Sequence, residues 1–288
     1  MISEVSPADF RWDGSDPAAT VASVRAAAGD ADGHDPLDEA AELHLKHHGL
    51  SGARLVTAGE DGFALLLGGE LSLAVRPDRR RRGLGGQLAD AVADETRTAW
   101  SHGDHPGARR LAARIGLEPV RELWVMRRPT STPLPDLAPP EGVTVRGYRD
   151  GDAAEVLRVN AAAFASHPEQ GGMDAANLAE RMAEPWFDPA GLLLAVDDAE
   201  PDRLLGFHWT KRHDAEHGEV YVVGIDPAAQ GRGLGRLLTV AGLEHLDDGS
   251  TREVLLYVEA DNHPARALYE GLGFTHAASD THVMFARP

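Results

Sequence analysis

The chain contains no cysteine. Disulfides, cysteine-based zinc sites and thiol nucleophiles are thereby excluded, and the composition fits a cytosolic enzyme. Lysine is almost absent as well. Lys46 and Lys211 are the only two, and the basic charge is nearly all arginine, alongside abundant Ala, Gly and Asp. That bias reads as the codon usage of a GC-rich genome. No apolar stretch approaches bilayer-spanning length, and the opening residues Met1-Ile2-Ser3-Glu4-Val5-Ser6-Pro7 carry neither a basic region nor an apolar run. Neither a membrane span nor a signal peptide is expected. Positive charge is in deficit: the formal net charge is -18. Nucleic-acid phosphates and anionic membranes are repelled on average, so local arginine clusters must serve small anions.

What the chain does have is a repeat. Val223-Gly224-Ile225-Asp226-Pro227-Ala228-Ala229-Gln230-Gly231-Arg232-Gly233-Leu234-Gly235-Arg236 has a degraded earlier copy, Leu73-Ala74-Val75-Arg76-Pro77-Asp78-Arg79-Arg80-Arg81-Arg82-Gly83-Leu84-Gly85-Gly86. In both, an apolar strand ends at a proline and Gly-Leu-Gly opens an amphipathic helix. A strand, a glycine-rich turn and a helix N-terminus converge several backbone N–H groups and the helix dipole on one point, which makes an anion cradle. A second repeated piece follows each cradle. It runs from Asn262 through Leu268-Tyr269 to Phe274 in the second half, and from Asp104-His105-Pro106 through Leu111-Ala112 to Leu117 in the first. At 288 residues the chain can hold two domains, each with its own core.

The stretch 127–142 is proline-rich and cannot sustain a helix or an inner strand. It marks an interdomain linker, placed at 131–142, between domains at 1–130 and 143–288. In the second half the pattern predicts a strand at 143–146, helices at 151–164 and 174–183, and a meander of strands at 191–196, 204–210 and 219–225. After the cradle come a helix to about 246, a strand at 253–258, a helix from 263 and a last strand near 282–285. The first half repeats the plan less clearly, with helices near 17–28 and 38–48, strands at 53–57, 62–67 and 70–75, and a weak strand at 98–102.

These residues resemble the GNAT family, the GCN5-related N-acetyltransferases, whose hallmarks are an Arg/Gln-x-x-Gly-x-Gly/Ala turn and an Asn-x-x-Ala-x-x-Leu-Tyr-x-x-x-Gly-Phe helix. The second half carries both; the first carries the turn as Arg80-Arg81-Arg82-Gly83-Leu84-Gly85. The resemblance implies two tandem GNAT domains, each a mostly antiparallel mixed α/β sheet flanked by helices. The residues themselves agree, because a pyrophosphate needs backbone amides clear of side chains, and Gly233 and Gly235 allow that approach. The spacing is neither the dinucleotide fingerprint nor a Walker loop.

The halves are unequal. Aligning Pro227 with Pro77 puts Glu219 on Gly69 and Arg81 on Gly231, and pairing Leu268 with Leu111 puts Tyr269 on Ala112. Glu70 lies one residue off, which on a regular strand points to the other face. The first half is therefore expected to keep a cradle, to lack both proton-transfer groups, and to be non-catalytic. In the family the carboxylate before the cradle acts as general base through water and the tyrosine protonates the departing thiolate, roles that fall on Glu219 and Tyr269. An ammonium must lose a proton before its lone pair can attack a thioester, so the chemistry needs such a pair.

Within the family the chain, with its catalytic pair kept only in the second half, resembles the mycothiol synthases. The matching pieces are His167-Pro168-Glu169-Gln170-Gly171-Gly172, Gly206-Phe207-His208-Trp209-Thr210-Lys211, Gly218-Glu219-Val220-Tyr221-Val222-Val223-Gly224 and Leu255-Leu256-Tyr257-Val258-Glu259-Ala260-Asp261-Asn262. That resemblance implies acetyl-CoA-dependent acetylation of the cysteinyl amine of the pseudo-disaccharide Cys-GlcN-Ins, contacted by Glu39, Glu169, Lys211, Glu219 and Tyr257. Acetyl-CoA would lie against Val223, Gly224, Ile225, Gln230, Gly231, Arg232, Gly233, Leu234, Gly235 and Arg236, and against Asn262, His263, Pro264, Ala265, Arg266 and Ala267. In the first half it would lie against Leu73, Ala74, Val75, Arg81, Arg82, Gly83, Leu84, Gly85 and Gly86. Glu39 also reads as an ordinary helix start, where acids favour the dipole. His44, His47 and His48 share a helical face, but the sequence shows no acidic or Cys residue spaced to complete a metal site with them, so no metal is expected. The expected protein is a cytoplasmic monomer with a small-molecule partner and no nucleic acid or membrane. Another small amine (an amino acid, an aminoglycoside or a protein N-terminus) and a non-catalytic acyl-CoA sensor are the alternatives.

Overall fold

The computed structural model describes residues 2–165 and 170–288. By their contacts they fall into two units. One holds the chain up to Trp124 with 259–261 and 277–288; the other holds Val125–Val258 and Asn262–His276.

The first unit contains β1 (Ser3–Glu4), α1 (Ala18–Asp32), α2 (Glu39–His48), β2 (Ala53–Thr57), β3 (Gly62–Leu67), β4 (Glu70–Val75), α3 (Leu84–Val92), β5 (Thr98–Ser101) and α4 (Pro106–Arg114), and β6 (Glu118–Pro129) starts in it. α2 begins where Asp38 accepts from the Ala41 N–H at 2.7 Å, with Glu39 and Glu42 in its first turn and Lys46, His47 and His48 in its last. Cap and charges all follow the helix dipole. β3 and β4 join through Gly68 and Gly69, both at positive φ, the conformation a two-residue hairpin needs. β3 reads as a continuous apolar run because it feeds two cores. Phe63 and Leu65 pack against Val21 and Val24 of α1 and Leu45 of α2, whereas Ala64 and Leu66 pack with Leu88 and Val92 of α3.

The second unit contains β7 (Val143–Gly147), α5 (Ala153–Ala163), α6 (Ala175–Met182), β8 (Leu192–Asp197), β9 (Leu204–Arg212), β10 (His217–Ile225), α7 (Leu234–Leu246), β11 (Glu253–Glu259) and α8 (His263–Glu270), and the chain ends in β12 (Thr275–Ala286). From β7 onward the order is the predicted one. Its sheet runs β11-β10-β9-β8-β7, antiparallel except for β10 beside β11. Val156 and Val159 of α5 and Leu178 of α6 pack with Phe207 and Trp209 on one face. Leu234, Leu237 and Leu238 of α7 pack with Leu205 and Ala195 on the other.

Two boundaries differ from those expected. β6 continues to Pro129, so the proline-rich stretch loses its helix and strand structure only beyond that residue; a proline at a strand's end forfeits no inner ladder bond. The weak strand at 98–102 forms as β5. β12 starts at Thr275, well before the apolar segment that betrayed it, because its first half is polar and mostly exposed. Its later residues pair with β5, Val283 opposite Ser101 and Phe285 opposite Ala99, inside the first unit.

Candidate functional site

In the second unit β10 stops at Ile225, and Asp226 starts a short 3-10 turn by accepting from the Ala228 N–H at 2.9 Å. The Arg158 guanidinium, 2.7 Å from the Asp226 carboxylate, fixes it and holds it below the usual carboxylate range. Gly231 and Gly233 follow at φ +79° and +75° with open space where a Cβ would stand. Glycine is favoured there by the backbone turn, not by crowding. Gly233 caps α7 without a side-chain hydrogen bond, so the first-turn N–H groups face outward for an anion. Gly235 packs closely, its missing Cβ 3.6 Å from Leu268 of α8. Asn262 caps α8, its side chain accepting from the Ala265 N–H at 3.2 Å. The predicted acetyl-CoA residues of this half thus occupy the end of β10 (223–225), the turn (230–233), the first turn of α7 (234–236) and the start of α8 (262–267).

Two irregularities shape what lies between. The parallel ladder joins His217–Val220 of β10 to Glu253–Leu256 of β11 and ends there, although both strands continue. Beyond Val220 the backbone of β10 no longer pairs with β11, which suits a ligand carrying amides of its own. The second is a bulge: opposite β9, the register shifts between Val220 and Val222. One extra residue turns the strand over. Glu219 pairs with Lys211 and Val222 with Trp209, so both face the α5 and α6 side, while Ile225 faces α7.

On that α5 and α6 face, Lys211 Nζ sits 4.8 Å from the Trp186 ring centre and 5.2 Å from that of Tyr221, both within cation–π range. Arg181 Nη1 donates to the Tyr221 hydroxyl at 2.6 Å. Tyr257, two residues past the β11 partner of Glu219, shares the face and is exposed. Glu219 is buried, and His213 Nε2 meets its Oε2 at 2.7 Å. Tyr269 on α8 stacks edge-on against Phe274 at 5.9 Å, and burial pushes its phenol up to about 12. It stays protonated across the neutral range. Lys211, Glu219 and Tyr257 are therefore brought together on one face. Glu39 is the first residue of α2 in the other unit, and Glu169 lies outside the described residues. His213, Arg181 and Trp186 were missed by the sequence. Only the hairpin between β9 and β10, where the His213 N–H donates to the His217 carbonyl, could have brought His213 back towards Glu219.

The first unit has a matching turn. Gly83, at φ +85°, opens α3 without a side-chain cap. A cavity of about 710 Å³ beside it is lined by Leu73, Val75, Arg81, Gly83 and Gly85, among others. Arg81 sits at φ +61° where the other half has Gly231, an uncommon conformation for a residue with a Cβ. Arg80 is drawn onto Asp32 by two bonds of 2.6 and 2.7 Å.

One expectation is corrected. β4 pairs with β3 without a bulge, so counting back from the proline overshoots by one residue. Glu219 stands opposite Lys211 and Leu255; Glu70 stands opposite Leu67 and Thr98 in the matching places. Leu255 and Thr98 have the same spacing that aligns Leu268 with Leu111. Glu70, not Gly69, is the counterpart of Glu219. The first unit keeps a carboxylate there and lacks only the phenol, replaced by Ala112. Among the described residues no group of three His, Cys, Asp or Glu side chains is placed to hold a metal, and no helix is long and apolar enough to cross a membrane.

Comparison with known proteins adds to this geometry. The pattern of the Acetyltransferase (GNAT) family matches residues 159–274. A mycothiol acetyltransferase of Nocardioides sp. (strain ATCC BAA-499 / JS614) is 60% identical, over 93% of this chain and 97% of its own. That of Nocardia farcinica is 51% identical over 94% of each. Among solved structures, a GCN5-related N-acetyltransferase from Sphaerobacter thermophilus superposes with TM-score 0.71 at 25% identity, covering 100% of this chain and 96% of that one. A tandem GNAT protein from the clavulanic acid biosynthesis pathway shares the fold, with TM-score 0.68 at 19% identity over 99% and 97% of the two chains.

Proposed function

Given that this chain belongs to the mycothiol acetyltransferase family of GNAT enzymes, we propose that it transfers the acetyl group of acetyl-CoA to the cysteinyl amine of Cys-GlcN-Ins, giving mycothiol. It is an N-acetyltransferase, which sets aside a non-catalytic sensor. The observation that carries the acceptor side is the buried Glu219 carboxylate, set beside Lys211 where β10 and β11 part. The face suits a polyol bearing one ammonium: Glu219 answers the charge, and Lys211 and the Tyr257 hydroxyl can donate to sugar oxygens.

The α-amine of such a substrate has a reference pKa near 8, so modest base assistance frees its lone pair at neutral pH. Glu219 takes that proton, directly or through a water. The amine attacks the thioester carbon, and a backbone N–H near Val223 stabilises the oxygen as charge develops on it. When the C–S bond breaks, Tyr269 gives its proton to the thiolate. The α7 N-terminus, Arg232 and Arg236 would hold the pyrophosphate. In the first unit the cavity against residues 73–75 and 81–86 would take CoA without turnover, since Ala112 offers no acid.

The test is a competition between acceptors. With acetyl-CoA, Cys-GlcN-Ins is expected to be acetylated with a higher kcat/KM than any of a panel of aminoglycosides, amino acids and a peptide with a free N-terminus. A panel member turned over far better would replace the assignment with that amine.

A further inference from the structure

The contact between His213 and Glu219 has no part in the reaction as derived so far. Glu219 keeps 7% of its side-chain surface exposed and His213 keeps 36%, with 2.7 Å between Nε2 and Oε2. A buried base is thus joined to solvent through one imidazole. The neighbouring charges are engaged among themselves: Asp214 by His217 at 2.9 Å and Glu216 by Arg252 at 3.3 Å. On the strands flanking Glu219, Lys211 stands opposite it on β9 and apolar Leu255 on β11. Tyr221, with Arg181 on its hydroxyl, borders Lys211.

We propose that His213 is the positioning and proton-relay partner of Glu219, holding the carboxylate towards the acceptor amine and passing its proton to solvent. This rests on the reading of Glu219 as the base. The balance requires such an exit. The ammonium loses one proton before attack and a second as the amide C–N bond forms; the thiolate released by C–S cleavage regains only one, from Tyr269, which is itself reprotonated. One proton per turnover must leave, and Glu219 is buried with His213 against its carboxylate. Imidazole accepts and releases protons readily near neutral pH, which suits it to hand that proton on.

The test uses the full chain with His213→Gln, Glu219→Gln and the double variant. His213→Gln keeps a hydrogen-bonding side chain without a titrating ring. It is expected to lower kcat roughly 10- to 100-fold with the KM for acetyl-CoA unchanged, and added imidazole should restore the rate in proportion to its concentration. The double variant should be no slower than Glu219→Gln. A His213→Gln enzyme at wild-type kcat overturns the relay, as does a loss that imidazole leaves untouched. Should Glu219→Gln itself run at the wild-type rate, the reading of Glu219 as base falls. A slow Glu219→Gln beside a fast His213→Gln removes the relay alone.

Discussion

At the scale of single residues, the proton-transfer roles proposed for Glu219 and Tyr269 are separable by their pH signatures. If Glu219 takes the ammonium proton, Glu219→Gln should lower kcat by roughly 10² to 10⁴ with little change in acetyl-CoA affinity. The loss should shrink at high pH, where the amine is already neutral. Tyr269→Phe removes the acid instead, and because burial pushes the Tyr269 phenol up to about 12, the wild type keeps its proton throughout the accessible range. The phenylalanine defect should therefore persist at high pH. Both substitutions nearly conserve volume, so retained turnover in both, measured from pH 6 to 10, would return the two residues to structural roles. The sequence made Glu219 and Tyr269 legible because each sits at a fixed distance from a glycine turn or a helix cap. It left His213 unseen, since a histidine six residues from its partner meets it only once the hairpin register is known.

At the scale of elements, α7 rests on β9 through His208 and Gly242. The fully buried imidazole donates from Nδ1 to the Leu238 carbonyl at 2.8 Å, and its Nε2 finds no partner among the described residues. A Cβ at Gly242 would stand 2.0 Å from that ring, so the helix can lie this close only at glycine. Burial pushes His208 down to about 4 from an ordinary 6.5. Between those values the unfolded chain binds the extra proton and the folded one does not, so stability must fall as pH drops through that window, by about 3 kcal/mol in total. Urea midpoints at pH 7.5 and 4.5 should show His208→Gln losing less between the two than wild type does; equal losses would exclude His208 as the source. The bulge in β10 is the counterpart on the strand side. Alternation named the strand, but nothing in Val220-Tyr221-Val222 announces an extra residue, because all three are strand formers and the residue is accommodated by backbone pairing. That single residue decides which face Glu219 occupies, and it hid the equivalence of Glu70.

At the scale of the whole molecule, the duplication was written in recurring Gly-Leu-Gly turns and the element order from β7 onward in the apolar pattern, whereas the reach of β12 was masked by its polar first half. The unequal halves yield a direct comparison. Gly83→Asp with Gly85→Asp should close the first cradle, placing carboxylates at the proposed anion site and a side chain at φ +85°. The doubly substituted protein, if its circular dichroism is unchanged, is expected to retain a measurable part of its turnover; complete loss with acetyl-CoA binding intact in the second unit would mean that the first takes part in the chemistry. The placement of β12 carries a consequence for how the protein is made. Val283 and Phe285 lie in the core built from Val56 and Leu66, residues translated more than two hundred positions earlier. On the ribosome the first unit must wait with that core open while all of the second is synthesised. The half translated first is thus the later one to finish folding, and through that interval it is the part most in need of a chaperone.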